Sequence, residues 1–257
     1  MRNSAGLLLL VLWAWPALGL EGLAAHWPMD NAENGMVRDA TGNGHDAPYA
    51  AVDGSAPEFV PGIVGAAIKL VDEKEAFLNV AGADAFNFQG PFTVMAWVKP
   101  SRREATFEVL CFKGDKSGDP PWPGWRLRVF WTRAVFQAGT PEGEEPQVSS
   151  PEWSVPAGFW SHIAAGWDGK QLRVYVNGVE RASTPFAGII APQQAGRPLV
   201  LCNYIGRKNA YAFDGLVDDI MVFDRFLDAE EVFRAAAGIA SEAPNAAAGA
   251  EVGAPSP

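Results

Sequence analysis

The side chains with the clearest chemical potential in this sequence are tryptophans and arginines that stand close together along the chain. Aromatic faces pack against the C–H-rich surfaces of pyranose rings, and neighbouring polar groups fix the orientation of the sugar. Trp122 and Trp153 lie among Pro, Gly and Ser, in SGDPPWPGW and SPEWSVP, a setting typical of exposed loops. The residues that we expect to contact a ligand are Trp122, Trp125, Arg126, Arg128, Trp131, Trp153 and Tyr211. The alternative is that the aromatic side chains among them belong to the hydrophobic core or cover its edges.

Sequence patterns of catalysis are missing. No nucleophile elbow, phosphate-binding loop, Cys-x-x-Cys or His-Glu-x-x-His pattern occurs in the chain. Glu142, Glu144 and Glu145 are close in sequence, but Pro and Gly flank them in PEGEEP, which predicts a solvated loop. We therefore expect no catalytic residues. A hydrolase or lyase that acts on polysaccharides remains an alternative if distant residues converge in the fold.

Short β-strands are the elements that would position these side chains. In SHIAAGWDGKQLRVYVNGVE, at 161–180, two alternating runs flank an Asp-Gly turn, and an Asn-Gly turn follows the second run. Both dipeptides accept the positive φ angles of hairpin turns, and alternation with period two is typical of antiparallel strands with one buried face. Similar runs occur at 66–70, 77–80, 92–98, 107–112, 125–130, 134–138, 160–167, 172–176, 199–205 and 216–223. The sequence thus predicts an all-β, two-sheet antiparallel jelly-roll sandwich.

One short C-terminal helix is predicted after the last of these strands. Asp228 and Glu231 form a capping-box pattern ahead of Val232, Phe233 and a run of alanines. Gly238 follows this run at a position suited to ending the helix.

The two ends of the chain differ in composition from the rest. Arg2, an apolar run and then Ala-Leu-Gly predict a secretory signal peptide at 1–19, too short to span a bilayer. Residues 239–257 are rich in Ala, Pro and Gly and predict a disordered tail, which leaves 23–238 as the folded domain. We therefore expect a secreted, extracytoplasmic protein of the periplasm or cell surface.

The charge of the chain limits its partners. A formal net charge of −10 argues against nucleic acid and anionic membranes. The expected partner is a glycan or an extracellular protein, with no membrane insertion. Cys111 and Cys202 are the two cysteines, and the sequence leaves open whether they form a disulfide or remain free buried thiols.

Four further segments carry a family resemblance. In chain order they are LAAHWPMDN at 23–31, DATGNGHDA at 39–47, PFTVMAWVKP at 91–100 and DGLVDDIMVFDRFLDAEEV at 214–232. Together with the hairpin at 161–180 they resemble laminin-G-like, concanavalin A-type jelly rolls. The resemblance implies a core that contains Trp97, Trp160, Trp167, Ile163, Val174, Val176, Ile220 and Val222. The two disulfide positions of the related pentraxins fall at Met95 and Ala164, so pentraxin ligand chemistry is not carried over.

The same resemblance implies a structural calcium ion, because it makes the first and last strands neighbours. Calcium takes six to eight oxygen ligands, commonly carboxylates and backbone carbonyls. The matching positions are Asp30, Asn43 and Asp218, with Asp219 and the carbonyl of His45 as further ligands. Adjacent residues of a strand point to opposite faces, so only one of the two neighbouring aspartates can face the ion. The alternative is that these carboxylates make turn hydrogen bonds or ion pairs.

The resemblance favours a binding module over an enzyme. Laminarinase-like relatives carry their acids on one strand as E-x-D-x-x-E, and this sequence has no such run. We therefore expect a secreted, non-catalytic module for a carbohydrate or an extracellular partner. The alternative is a structural protein-interaction domain of the cell surface that recognises no sugar.

Overall fold

A computed structural model describes residues 21–80, 83–103, 106–113, 122–204 and 211–237. Within these ranges the strands, in chain order, are β1 Leu23–Trp27, β2 Met36–Val37, β3 Ala47–Ala50, β4 Glu58–Pro61, β5 Ala66–Leu70, β6 Phe77–Val80, β7 Phe92–Pro100, β8 Thr106–Lys113, β9 Gly124–Phe130, β10 Arg133–Ala138, β11 Gln147–Ser149, β12 Ser161–Trp167, β13 Gln171–Val176, β14 Val179–Pro185, β15 Leu199–Leu201 and β16 Gly215–Phe223. Short 3₁₀ turns occur at Asp72–Lys74 and Ala83–Phe86. The predicted signal peptide and tail lie outside the described residues.

The strands form two sheets of eight strands each. The first sheet has the order β14-β13-β12-β7-β16-β5-β4, and β1 also pairs with β16. The second has the order β11-β10-β9-β8-β15-β6-β3-β2. All strand pairs in both sheets are antiparallel, so the predicted two-sheet jelly-roll sandwich is confirmed.

The predicted C-terminal helix, α1, spans Ala229–Ala236. The Asp228 carboxylate accepts hydrogen bonds from the backbone N–H groups of Glu230 and Glu231, and the Glu231 side chain accepts one from the backbone N–H of Asp228. This is the capping box that the sequence predicted, and it satisfies donors that the first turn of a helix leaves unpaired.

Aromatic side chains fill the space between the two sheets. Phe92 stacks on Phe88 with 4.6 Å between ring centroids and tilts against Trp125 at 5.3 Å. The indole N–H of Trp125 donates to the carbonyl of Phe86 at 3.0 Å, so the polar atom of this buried side chain is satisfied. Each such buried aromatic stabilises the sandwich by roughly 1.5–3 kcal/mol.

Two of the tryptophans predicted to lie in the core are not part of it. Trp97 and Trp160 are half-buried, whereas Trp167 and the five aliphatic side chains of the prediction are in the core. In β7 the alternation places Ala96 and Val98 inside, so Trp97 points outward and meets the ring edge of His162 at 5.3 Å. The correction follows from strand phase, because a residue type alone does not say which face of a strand is buried.

One strand pairing and one thiol bear on the expectations about disulfides. Met95 and Ala164 lie directly opposite each other in the β7–β12 ladder, as their alignment with the pentraxin disulfide requires. Cys202 is a free thiol with no exposed surface, and burial raises its pKa. The side chain of Cys111 lies outside the described residues.

Candidate functional site

The turn between β9 and β10 has an unusual residue in a demanding position. Phe130 and Arg133 pair across it, so the loop consists of Trp131 and Thr132. Trp131 has φ of 58°, the first position of a two-residue hairpin loop where glycine is preferred when φ is positive. A bulky side chain in this conformation costs about 1–2 kcal/mol, and such outliers persist only where the surroundings hold them.

A second tryptophan is held against the same turn. Trp153, with φ of 66°, donates its backbone N–H to Thr132 Oγ1 at 2.8 Å. The backbone N–H of Val155 donates to the carbonyl of Thr132 at 2.9 Å. Thr132 is buried. Its hydroxyl and its backbone carbonyl join the hairpin turn to the loop that carries Trp153.

Both indoles remain open to solvent. Trp131 is 46% exposed and Trp153 is 56% exposed, and the neighbouring Phe130 is 41% exposed. The rings of Phe130 and Trp131 tilt against each other with 6.4 Å between their centroids. These three side chains form what we call the tryptophan cluster. Exposed aromatic surface in one patch, on a backbone held in a costly conformation, is typical of a binding site.

Three arginines border the tryptophan cluster. The guanidinium of Arg103 lies 4.8 Å from the centroid of the Trp153 ring, and that of Arg128 lies 5.6 Å from the centroid of Phe130. Arg133 donates to the carbonyl of Ser150 at 3.2 Å and pairs with the Glu152 carboxylate at 3.4 Å. The cluster therefore combines aromatic faces with cationic hydrogen-bond donors.

Polar side chains continue from the cluster across the outer face of the second sheet, the side that points away from the core. Arg126 Nε donates to Gln137 Oε1 at 2.7 Å, and Arg128 donates to Gln147 Oε1 at 3.5 Å. Arg126, Gln137 and Gln147 follow one another across the β9, β10 and β11 ladders. These amide and guanidinium groups form a row next to the exposed rings, but Arg126 and Gln137 are mostly buried.

The structure divides the residues predicted to bind ligand. Trp131 and Trp153 belong to the tryptophan cluster, and Arg128 borders it through Phe130. Arg126 lies on the same outer face but is mostly buried. Tyr211 packs edge-on against Tyr204 at 5.7 Å, beside Val200 of β15. Trp122 is half-buried and makes contacts within the chain.

Trp125 requires a correction. It is 1% exposed and belongs to the hydrophobic core, so its ring is not available to a surface ligand. The reason is again strand alternation, because Trp125, Leu127 and Val129 face inward in β9.

Four residues of the site were not predicted from the sequence: Arg103, Phe130, Thr132 and Arg133. The signal that could have found Phe130 and Arg133 was their position on either side of a two-residue loop in the segment FWTR. Nothing in the sequence indicates that Arg103 and Thr132 contact Trp153, because both contacts join segments that are distant along the chain.

A second group of polar side chains lies at the first sheet. Asp218 has no exposed surface, and its Oδ2 accepts hydrogen bonds from the N–H groups of Ile63 and Val64 at 2.8 and 3.1 Å. Its Oδ1 is buried and has no hydrogen-bond partner among the described residues. Burial, together with the charges of Asp219 and Asp30, raises the pKa of Asp218 to about 7.

Asp30 binds the same turn as Asp218. Its Oδ1 accepts the backbone N–H of Ala66 at 2.7 Å. Gly62 permits the close approach of the turn, because a Cβ atom there would lie 2.5 Å from Asp218 Oδ2. Two carboxylates thus converge on the loop that joins β4 and β5.

The other residues predicted as calcium ligands have different contacts. Asn43 donates to the carbonyl of Ala24 at 2.9 Å, and the carbonyl of His45 accepts the indole N–H of Trp27 at 2.7 Å. Asp219 lies 2.6 Å from Nε2 of His26. Among the described residues, no group of three or more His, Cys, Asp or Glu side chains could hold a metal ion. The structure therefore brings together Asp30 and Asp218 but not the full predicted set.

Comparisons with known proteins agree with this architecture. The sequence profile described as the concanavalin A-like lectin/glucanases superfamily matches residues 72–233. Two antiparallel sheets with one short helix are consistent with the jelly-roll sandwich of this superfamily. The chain belongs to the laminin-G-like family of this superfamily, as the sequence resemblance predicted. No curated protein matches the sequence significantly.

Solved structures with the same fold come from several proteins. Domain 4 of AbnA, an extracellular GH43 arabinanase from Geobacillus stearothermophilus solved with arabinotriose, is 22% identical with a TM-score of 0.61, and the match covers 83% of this chain and 98% of that one. The binding domain of Paraclostridial Mosquitocidal Protein 1 is 16% identical with a TM-score of 0.65, over 84% and 52% of the two chains. The binding domain of botulinum neurotoxin DC in complex with SialylT is 11% identical with a TM-score of 0.60, over 84% and 51%. This chain therefore spans about half the length of the toxin domains.

The helices were also considered as candidates for a membrane span. Within the part of the chain that the structure describes, none of the helices is long and apolar enough to cross a bilayer.

Proposed function

We propose that this protein is a secreted, non-catalytic binding module that holds a saccharide on the tryptophan cluster. The observation that carries the proposal is the pair of exposed indoles, Trp131 and Trp153, both held at positive φ around the buried Thr132. Loop tryptophans that cover a core edge become buried, whereas these two indoles each expose about half of their surface. Rigid exposed aromatic faces are what a pyranose or furanose ring packs against.

Two comparisons support a saccharide over other ligands. Domain 4 of the arabinanase was solved with arabinotriose, and a neurotoxin binding domain was solved with SialylT. Another neurotoxin binding domain was solved with rat synaptotagmin II, which keeps an extracellular protein partner as the competing proposal. Glu152 pairs with Arg133, so it acts as an ion-pair partner in the cluster, and the proposal assigns no catalytic residue. Export through cleavage after residue 19 is part of the same proposal.

A glycan-array screen of the purified mature protein tests the main claim. We expect saturable binding that falls at least tenfold in Trp131→Ala and in Trp153→Ala, which corresponds to about 1.4 kcal/mol or more. Phe159→Ala is the matched control, because Phe159 is 68% exposed and lies outside the tryptophan cluster. Binding that survives both tryptophan substitutions would overturn the proposed site. Absence of any glycan binding, with capture of a defined extracellular protein instead, would favour the interaction-domain alternative.

We further propose that Asp30 and Asp218 hold a structural calcium ion. Supporting this, a buried carboxylate oxygen of Asp218 has no hydrogen-bond partner in the part of the chain that the structure describes, and a second carboxylate contacts the same turn. Hard oxygen donors suit calcium, which would take its remaining ligands from backbone carbonyls and water. The ion would join the β4–β5 turn to the last strand and would have no catalytic role.

Thermal unfolding with calcium and with chelator tests the calcium proposal. We expect calcium to raise the midpoint in the unmodified protein but not in Asp218→Asn or Asp30→Asn, because a ligand bound only by the folded state stabilises it. Asp224→Asn, an exposed aspartate of the segment after β16, should respond like the unmodified protein. An equal calcium response in all four proteins would exclude this site.

A further inference from the structure

Basic side chains surround the tryptophan cluster on a protein that is otherwise acidic. The chain has 30 acidic and 20 basic residues. Three of the arginines nevertheless border one small aromatic patch: Arg103 against Trp153, Arg128 against Phe130, and Arg133 beside the Ser150–Trp153 segment. Their charge is opposite in sign to the net charge of the molecule, so this patch differs electrostatically from the surface as a whole.

The manner in which two of these arginines contact the rings suits recognition of an anion. A guanidinium that stacks on an aromatic ring uses its face, and its in-plane N–H groups are the part that binds carboxylate or sulfate in a bidentate way. Arg103 and Arg128 also make other interactions within the chain, and an anion would add to these.

Arg133 already holds a carboxylate in the cluster. Its partner Glu152 is 54% exposed, and the distance of 3.4 Å is longer than that of a strong charge-assisted hydrogen bond. Exposed ion pairs of this kind contribute about 0–1 kcal/mol, so a ligand can displace one at little cost. Glu152 immediately precedes Trp153 of the tryptophan cluster in the chain.

We propose that the tryptophan cluster selects acidic saccharides, and that the acidic group of the ligand replaces the Glu152 carboxylate on Arg133. This inference rests on the proposed saccharide-binding function and names its ligand class. The acidic group is a carboxylate, as in a uronic acid, or a sulfate ester, since both present coplanar or paired oxygens to a guanidinium. The aromatic faces bind the sugar ring, and the arginine supplies the preference for negative charge.

The test compares chain-length-matched oligosaccharides that are neutral, uronic-acid-containing or sulfated, by titration calorimetry at low and at high salt. We expect the acidic ligands to bind at least tenfold more tightly than the neutral one at low salt, a preference of about 1.4 kcal/mol. High salt should reduce this preference, because exposed charges are screened. The uronic and sulfated arms distinguish the two sources of negative charge.

Two substitutions of opposite sign sharpen the test. Arg133→Gln should bring the ratio of acidic to neutral affinity close to one, whereas Glu152→Gln should raise acidic affinity severalfold by removing the internal competitor. Arg181→Gln on β14 and Glu58→Gln on β4 are matched controls on the other sheet and should leave the ratio unchanged.

The outcomes separate the two proposals. Equal binding of neutral and acidic ligands, or a ratio unaffected by Arg133→Gln, overturns the acidic preference and leaves the saccharide-binding function standing. Failure of all three ligands and of the wider array to bind overturns the proposed function itself.

Discussion

Two hairpin turns of this protein both contain positive φ angles, but different types of residue adopt them. The β13–β14 turn consists of Asn177 and Gly178, with φ of 52° and 75°, the residues that tolerate positive φ best. The β9–β10 turn places Trp131 at φ of 58°, where a bulky side chain is disfavoured. The β13–β14 turn is consistent with its local sequence. The β9–β10 turn is held by hydrogen bonds from Trp153 and Val155, which lie in a distant segment.

The surroundings of the two turns differ accordingly. Asn177 exchanges hydrogen bonds with the backbone of His162, and Gly178 lies beneath Phe233 of α1. Trp131 instead directs exposed aromatic surface toward solvent. This local conflict at an exposed side chain is the reason we propose a binding role for the β9–β10 turn, whereas the β13–β14 turn agrees with its local sequence.

The largest expected effect concerns the structural turn and its neighbour His162. This side chain is fully buried, and burial lowers its pKa from 6.5 to about 3. The unfolded chain therefore takes up a proton that the folded protein does not, and stability is lost as pH falls from 6.5 toward 3. Between pH values of about 7.5 and 4.5, His162 should contribute a loss of roughly 2–3 kcal/mol. Urea unfolding of the protein and of His162→Phe, which keeps a ring against Trp97, measures this.

The difference between the two proteins isolates His162, because every other titrating group is shared. The variant should show a smaller loss of unfolding free energy on acidification. Parallel pH dependence of the two proteins would mean that His162 takes up its proton without unfolding.

Gly178→Ala should be the next largest change. A Cβ atom at this position would lie 2.8 Å from the Cα of Phe233, so α1 must shift, and alanine is also strained at this φ. We expect a loss of about 1–3 kcal/mol in the free energy of unfolding. Gly35→Ala is the control, since Gly35 has φ of 77° but nothing within 4 Å of the added atom. If both variants lose the same amount, contact with α1 contributes nothing at this turn.

At the binding turn, Thr132→Val should uncouple the two tryptophans. The substitution keeps the shape of the side chain but removes the acceptor for the Trp153 N–H at a buried position. We expect a loss of about 1–2 kcal/mol in stability, together with weaker saccharide binding. Thr132→Ser keeps the hydroxyl and should retain both properties. Unchanged ligand affinity in the valine variant would show that the Thr132 hydroxyl does not position Trp153 for binding.

The smallest effect has the opposite sign. Trp131→Gly places a permissive residue at positive φ, so we expect it to be more stable than Trp131→Ala by about 1 kcal/mol. The glycine variant should nevertheless lose saccharide binding, because the exposed indole is gone. Chemical unfolding and calorimetric titration of the two variants measure both effects. A glycine variant less stable than the alanine variant would show that the backbone at Trp131 is not strained.

Much of the fold was predictable because its information is local. Alternation and turn dipeptides predicted β5 and β6 at their observed bounds, and the Asp228 capping box predicted α1. The strands β2, β3, β4, β11 and β14 were not recognised, since several are short and β14 is an edge strand with no fully buried side chain. The candidate site was predictable only in part. Trp131 and Trp153, both predicted to contact a ligand, are exposed, and their binding role stays a prediction. Trp125 was grouped with them but is buried, because residue type does not reveal strand phase.

The sequence by itself determined the architecture of this protein: antiparallel strands, their hairpin turns and one capped helix follow from side-chain periodicity and backbone preferences of neighbouring residues. Only the tertiary structure decided which polar and aromatic groups meet. Thr132 and Trp153 are 21 residues apart, and Asp218 meets the Ile63 backbone across 155 residues. Such contacts depend on sheet order and strand phase, and these are set by burial of the whole core and not by any local segment.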